Sequence, residues 1–129
     1  MARSNVTLAD LVMFEGAYFS DPVFSWRNSI GVTDIEFFDS DRFGETYQNN
    51  VFVSNINSGN IFFFTMTYER DGFVLDGNLS DLVADTPKEL AEITFGSGFR
   101  GITDIEKGPD GSLYVLSYLD GRLYKITSD

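Results

Sequence analysis

The chain writes nearly the same seven residues twice, GVTDIEF at Gly31 to Phe37 and GITDIEK at Gly101 to Lys107. Self-similarity at a fixed spacing constrains a fold more than composition does, because each repeat has to be one unit that packs on the next. The echo extends beyond the heptad. DLV at Asp10 to Val12 returns 71 residues on at Asp81 to Val83, and TDIE at Thr33 to Glu36 returns 70 on at Thr103 to Glu106. VFVSNINSGNIFFF from Val51 aligns with LYVLSYLDGRLYKI from Leu113 at a spacing of 62. The first copy therefore holds eight extra residues (70 less 62) around FDSDRFGETYQNN, where the second has the tight turn GPDG.

Each copy reads as strands between turn signals. In the second, GITDIEK is followed by Pro109-Asp110-Gly111, SLYVLSY, Asp120-Gly121 and RLYKIT; Asp-Gly between apolar runs marks a hairpin. The first copy has Ser58-Gly59 as its hairpin and adds, after Asp71-Gly72, a fourth strand at about Phe73 to Leu79. Thr86-Pro87-Lys88-Glu89 is a capping box with proline at the first helical position, which predicts a short connecting helix. Three or four antiparallel strands in meander order make a propeller blade. The expected fold is all-β, with two four-stranded blades per chain.

The predicted repeats run from about 5 to 75, an outer strand plus the first blade, and from about 76 to 129, a second blade without its outer strand. NVTLADLV at the start aligns with GNLSDLV at the end of the first copy's fourth strand. It reads as an outer strand that belongs to another blade. Two blades cannot close a ring, since propellers use about four to eight. Apolar faces left open drive association at roughly 25 cal/mol per Å². The expectation is a head-to-tail homotrimer with six blades, in which the strand at about Val6 to Leu11 of one chain completes the last blade of its neighbour. The competing reading is a truncated piece of a longer propeller.

Hydrophobic residues make up 43% of the 129 and aromatics 16%, enough for a true core. With no cysteine there is neither a disulfide nor a thiolate site, and with no histidine the commonest general base is missing. A net charge of -11 makes phosphate backbones and anionic membrane surfaces poor partners. MARSNVTLADLVMF lacks the continuous apolar core of a signal peptide, so a soluble chain is expected.

Asp34 with Glu36, and Asp104 with Glu106, alternate with Thr33, Ile35 and their repeat partners, so each pair shares one face of an inner strand. In a sixfold ring they would recur around the central channel. One reading is a cation site, for which carboxylate oxygens suit calcium; the other is that these acids cap turns or bond backbone amides between blades. DSDRFGETYQNN fails the calcium-loop pattern, with Phe43 at the fifth place and Asn50 at the twelfth. Tyr18, Phe19, Phe24 and Trp26, beside Asp21, Arg27 and Asn28, make either a sugar-stacking pocket or inter-blade core.

YFSDPVFSWRNSIGVTDIEF, NNVFVSNINSGNIFFF and GPDGSLYVLSYLDGRLYKI resemble the C-terminal two blades of the glucose/sorbosone dehydrogenase family. These are six-bladed propellers, some of which oxidise sugars with pyrroloquinoline quinone (PQQ). The resemblance implies six blades, a sugar as substrate, and PQQ with calcium as the cofactors of active members. It also implies that Trp26 matches a tryptophan lining the quinone pocket. The family's catalytic histidine has no counterpart here, and the positions matching its three quinone-binding cations are Asn57, Gly101 and Thr103. Arg100 lies one residue from a family position, and one guanidinium does not replace three cations around a tricarboxylate. Three functions follow: a non-catalytic relative that binds a small polar ligand or cation, a fragment of an active dehydrogenase, or a structural module.

Overall fold

The two TDIE segments become the first strands of two separate antiparallel sheets in the computed structural model, which describes residues 7–128. The strands are β1 (Ser25–Trp26), β2 (Val32–Phe38), β3 (Asn50–Asn55), β4 (Ile61–Phe64), β5 (Val83–Ala84), β6 (Thr94–Gly96), β7 (Ile102–Lys107), β8 (Leu113–Ser117) and β9 (Arg122–Ile126). One sheet has the order β2-β3-β4-β6, the other β7-β8-β9, and β1 pairs in parallel with β5. The protein is all-β with little helix. No helix among the described residues is long and apolar enough to cross a membrane.

The two first strands share a local irregularity. The β2–β3 register shifts between Val32 and Asp34, and the β7–β8 register shifts between Ile102 and Asp104, the same place in the motif. A bulge there re-aims the following acids. The predicted helix is α1 (Pro87–Ile93): the Thr86 side chain accepts from the Glu89 amide, and the Glu89 carboxylate returns to the Thr86 amide. The hairpins fall at Gly59 (φ 64°) and Gly121 (φ 59°), where the left-handed backbone suits glycine.

Two expectations are corrected. The outer strand of the first sheet is not Phe73 to Leu79: Phe73 makes only an isolated bridge to Met66, and Gly77–Asp81 is a 3-10 turn. The edge of β4 is covered instead by β6, after the helix, with Ile61 opposite Gly96. Among the described residues the second sheet has three strands, so one sheet of this kind is four-stranded. Of the strand expected at Val6 to Leu11, Val6 lies outside the described residues, and Leu8–Asp10 is a 3-10 turn. There the Asp10 carboxylate accepts from the Thr7 amide (2.7 Å) and hydroxyl (2.8 Å), a local side-chain bond that competes with extended backbone.

The main core lies between the two sheets. Phe38, Phe52 and Ile61 of the first meet Ile102, Ile105, Leu113 and Val115 of the second, walled by Phe43, Tyr47, Phe95 and Phe99. Each fully buried aliphatic or Phe side chain there is worth about 1.5–3 kcal/mol. A second core covers the other side of β3 and β4: Val51, Val53, Phe62 and Phe64 pack under Phe24, Leu79, Ala84 and Ile93.

Candidate functional site

Where β2 passes β7, the side chains of the first motif reach across to the backbone of the second. The edge amides of β7 would otherwise lack partners, because β7 pairs with β8 on one side only. The Asp34 carboxylate accepts from the Ile105 amide (2.9 Å), and the Glu36 carboxylate accepts from the Lys107 amide (3.1 Å). The Thr33 hydroxyl donates to the Ile102 carbonyl (2.9 Å) and lies 3.1 Å from the Ser54 hydroxyl. Lys107 closes the seam with an ion pair to Asp39. That pair holds the Asp39 carboxyl below its ordinary value and raises the Lys107 ammonium.

The acids of the second motif sit beside those of the first. A hydrogen bond to the Asp34 carboxyl, then burial, raises the Asp104 carboxyl above the usual range. Glu36 is raised by burial, against the pull of the Lys107 amide, with Glu106 and Asp34 adding repulsion. Asp34, Glu36, Asp104 and Glu106 are thus neighbours. Among the described residues no group of three or more such side chains has the arrangement of a metal site. Asp34 and Glu36 act on backbone amides between sheets, while Asp104 and Glu106 are exposed.

Trp26 lies elsewhere. It packs edge-on to Phe24 (5.0 Å between ring centres) and tilted on Phe62 (5.5 Å), over the outer side of the first sheet. With Asn28, Asp85, Thr86, Pro87 and Leu90 it lines a cleft of about 170 Å³. Its indole N–H is buried and without a partner among the described residues. Phe24 joins this core, whereas Tyr18 and Phe19 are exposed, so the expected aromatic cluster divides. Arg100 is not part of the cleft lining; its guanidinium reaches Asp120 (3.7 Å).

Sequence reasoning missed Asp85 and Lys107. Asp85 immediately precedes the capping box, and the Glu89 carboxylate, held by the Asp85 and Thr86 amides, raises the neighbouring Asp85 carboxyl. The difference between Phe37 and Lys107 at the end of the repeated heptad was the available signal for the second.

The family model described as Glucose / Sorbosone dehydrogenase matches residues 12–125. The chain belongs to the glucose/sorbosone dehydrogenase family. It is 31% identical over 107 residues to the aldose sugar dehydrogenase YliI of Escherichia coli (strain K12), a match that covers 82% of this chain. The chain spans only 24% of that relative's length. No solved structure matches significantly.

The residues present do not fit the quinone of the family's active members. A tricarboxylate calls for several cations. Asn57 donates its amide to the Ser29 carbonyl (3.2 Å), Gly101 has no side chain, and the Thr103 hydroxyl turns to the Leu116 carbonyl (3.4 Å). Arg27, next in the chain to Trp26, faces the cleft-lining Asp85 (3.9 Å).

Proposed function

We propose that the chain is a non-catalytic member of its family, contributing two neighbouring blades of a six-bladed propeller whose central channel takes a small polar ligand or cation. The observation that carries this reading is the missing charge. The three positions that match quinone-binding cations hold Asn57, Gly101 and Thr103, and Arg100 faces Asp120 (3.7 Å). The inner strands β2 and β7 supply carboxylates in place of cations, and those of Asp104 and Glu106 are exposed with lone pairs that no backbone amide among the described residues occupies. Such a channel attracts cations and hydroxyl donors and repels an anionic cofactor.

Calorimetric titration with PQQ, with calcium, and with both separates the possibilities. The expected result is no PQQ binding and no dye-linked oxidation of glucose, with saturable calcium binding that Asp104→Ala plus Glu106→Ala removes. Stoichiometric PQQ binding by the chain would overturn the reading. A heat of neither kind would favour a purely structural module.

A second reading is supported by the length of the relative. A chain spanning 24% of an aldose sugar dehydrogenase is also what one piece of an active enzyme looks like, its base and cations lying on other blades. Restoration of sugar oxidation on adding the remaining blades as a separate chain would favour it.

A further inference from the structure

Each half of the seam between the two sheets recurs in the other copy of the repeat without its counterpart half among the described residues. Asp34 and Glu36 present carboxylates to the amides of Ile105 and Lys107. Shifted by the repeat, those carboxylates become Asp104 and Glu106, and those amides become Ile35 and Phe37. Asp104 and Glu106 are exposed next to Asp34 and Glu36 and accept from no backbone amide of another sheet among the described residues. The Ile35 amide is occupied only by the carboxylate of the preceding residue, Asp34 (2.8 Å). By strand alternation the Phe37 amide points to the same open edge of β2.

The apolar surface repeats the pattern. Ile102 and Ile105 are 0% and 2% exposed against the first sheet, whereas their equivalents Val32 and Ile35 are 51% and 62% exposed. The layer of Phe24, Leu79 and Ala84 that covers β3 and β4 does not extend over these two residues of β2. On the opposite side of the molecule Leu116 and Leu123 are exposed. Leu116 is the equivalent of Ser54, which is buried at the seam beside Thr33.

We infer that the open edge of β2 is a docking surface for the β7 side of a second copy of this chain, with Asp104 and Glu106 of one copy accepting from the Ile35 and Phe37 amides of the other. The internal seam is its template, and the chain carries both complementary halves. The contact is heterologous, so it propagates until a ring closes. It rests on the propeller reading only for the number at which the ring closes. The contact itself needs only that the internal seam be repeated.

The test exploits the absence of cysteine in the chain. In the internal seam Thr33 bridges Ser54 and Ile102, so across the proposed contact Leu116 of one copy should approach Val32 of the next. Two singly substituted chains, Leu116→Cys and Val32→Cys, are mixed and mildly oxidised. The expected product is a mixed disulfide dimer forming at least ten times faster than either chain couples with itself. Ile35→Lys, at an already exposed side chain, is expected to abolish it while leaving the melting temperature unchanged. Equal coupling rates, or coupling insensitive to Ile35→Lys, would overturn the contact. A chain carrying both cysteines reads the ring separately: a ladder ending at three supports contact and propeller together. A ladder running past three supports the contact and contradicts six blades.

Discussion

The same heptad meets two fates in this molecule, and the difference shows what the motif is for. In the second copy Ile102 and Ile105 are buried and their edge amides are held by acids of the neighbouring sheet. In the first copy Val32 and Ile35 are exposed at an edge that no sheet among the described residues covers. Sequence alone does not distinguish them; the presence of a preceding sheet does. TDIE is therefore best understood as a two-sided connector, with acids for the sheet that follows and amides with aliphatics for the sheet before.

The hairpin glycines give the largest contrast. A Cβ at Gly59 would lie 1.4 Å from the Phe99 carbonyl oxygen, whereas one at Gly121 meets nothing within 4 Å. Both have positive φ, so both pay the left-handed strain of about 1–2 kcal/mol on substitution. Only Gly59→Ala also drives backbone into backbone. Its expected cost is about 4 kcal/mol or more, a large part of a small domain's stability. Urea denaturation of Gly59→Ala and Gly121→Ala checks this, and equal midpoints would break the comparison.

The isoleucines come next. Ile105→Ala empties a fully packed site and is expected to cost about 2–5 kcal/mol. Ile35→Ala, at an exposed position, should stay within about 0.5 kcal/mol in the dissociated chain. Thermal melts at submicromolar concentration read this difference. At concentrations where copies associate, the second cost should rise toward the first.

The acids sharpen the same point. Asp34→Ala leaves the Ile105 amide without its acceptor at a part-buried seam, a loss of about 1–3 kcal/mol. Asp104→Ala is expected to be neutral or slightly stabilising in the dissociated chain at neutral pH. Folding raises the Asp104 carboxyl, so the folded state favours its protonated form. Stability should consequently rise as pH falls through the folded value and level off below the unfolded one, and Asp104→Ala should flatten that rise. Denaturant midpoints between pH 7 and 3 measure it.

The smallest effect belongs to a turn that the first copy lacks. Lys125 and the Ser112 amide hold the Asp110 carboxyl down to about 2. Its contribution is present above the unfolded value and is lost as pH falls from about 4 towards 2. The pair is partly exposed, so salt should weaken it. Comparing Asp110→Asn with the parent across that window, at low and high salt, tests the assignment.

Much of this was legible in the residues. The repeat placed β2 and β7, Gly59 and Gly121 marked the hairpins, and Thr86 with Glu89 announced α1, because each signal is local. The outer strand was not legible. FVLDGNL has the apolar content of a strand, but Asp76-Gly77 opens a 3-10 turn and Leu79 goes into the core beneath it. Three residues at Thr94–Gly96 are too few to show alternation, and only the free edge of β4 selects them. For the acids, the sequence offered a cation channel and, as the favoured reading, turn caps or backbone amides between blades. Geometry places Asp34 and Glu36 on amides, which no spacing could reveal because the partner lies 71 residues away. Trp26 was legible as one of an aromatic cluster that is either a pocket or core, but its neighbours Asp85 and Leu90 come from the connection around α1.

The central claim is that one motif makes both the seam inside the chain and the contact between chains. Light scattering on a size-exclusion column at micromolar concentration tests it most directly. The account predicts a discrete mass of three chains, three times 14.5 kDa, falling to one chain in Ile35→Lys. A parent protein that elutes at the mass of a single chain would contradict it.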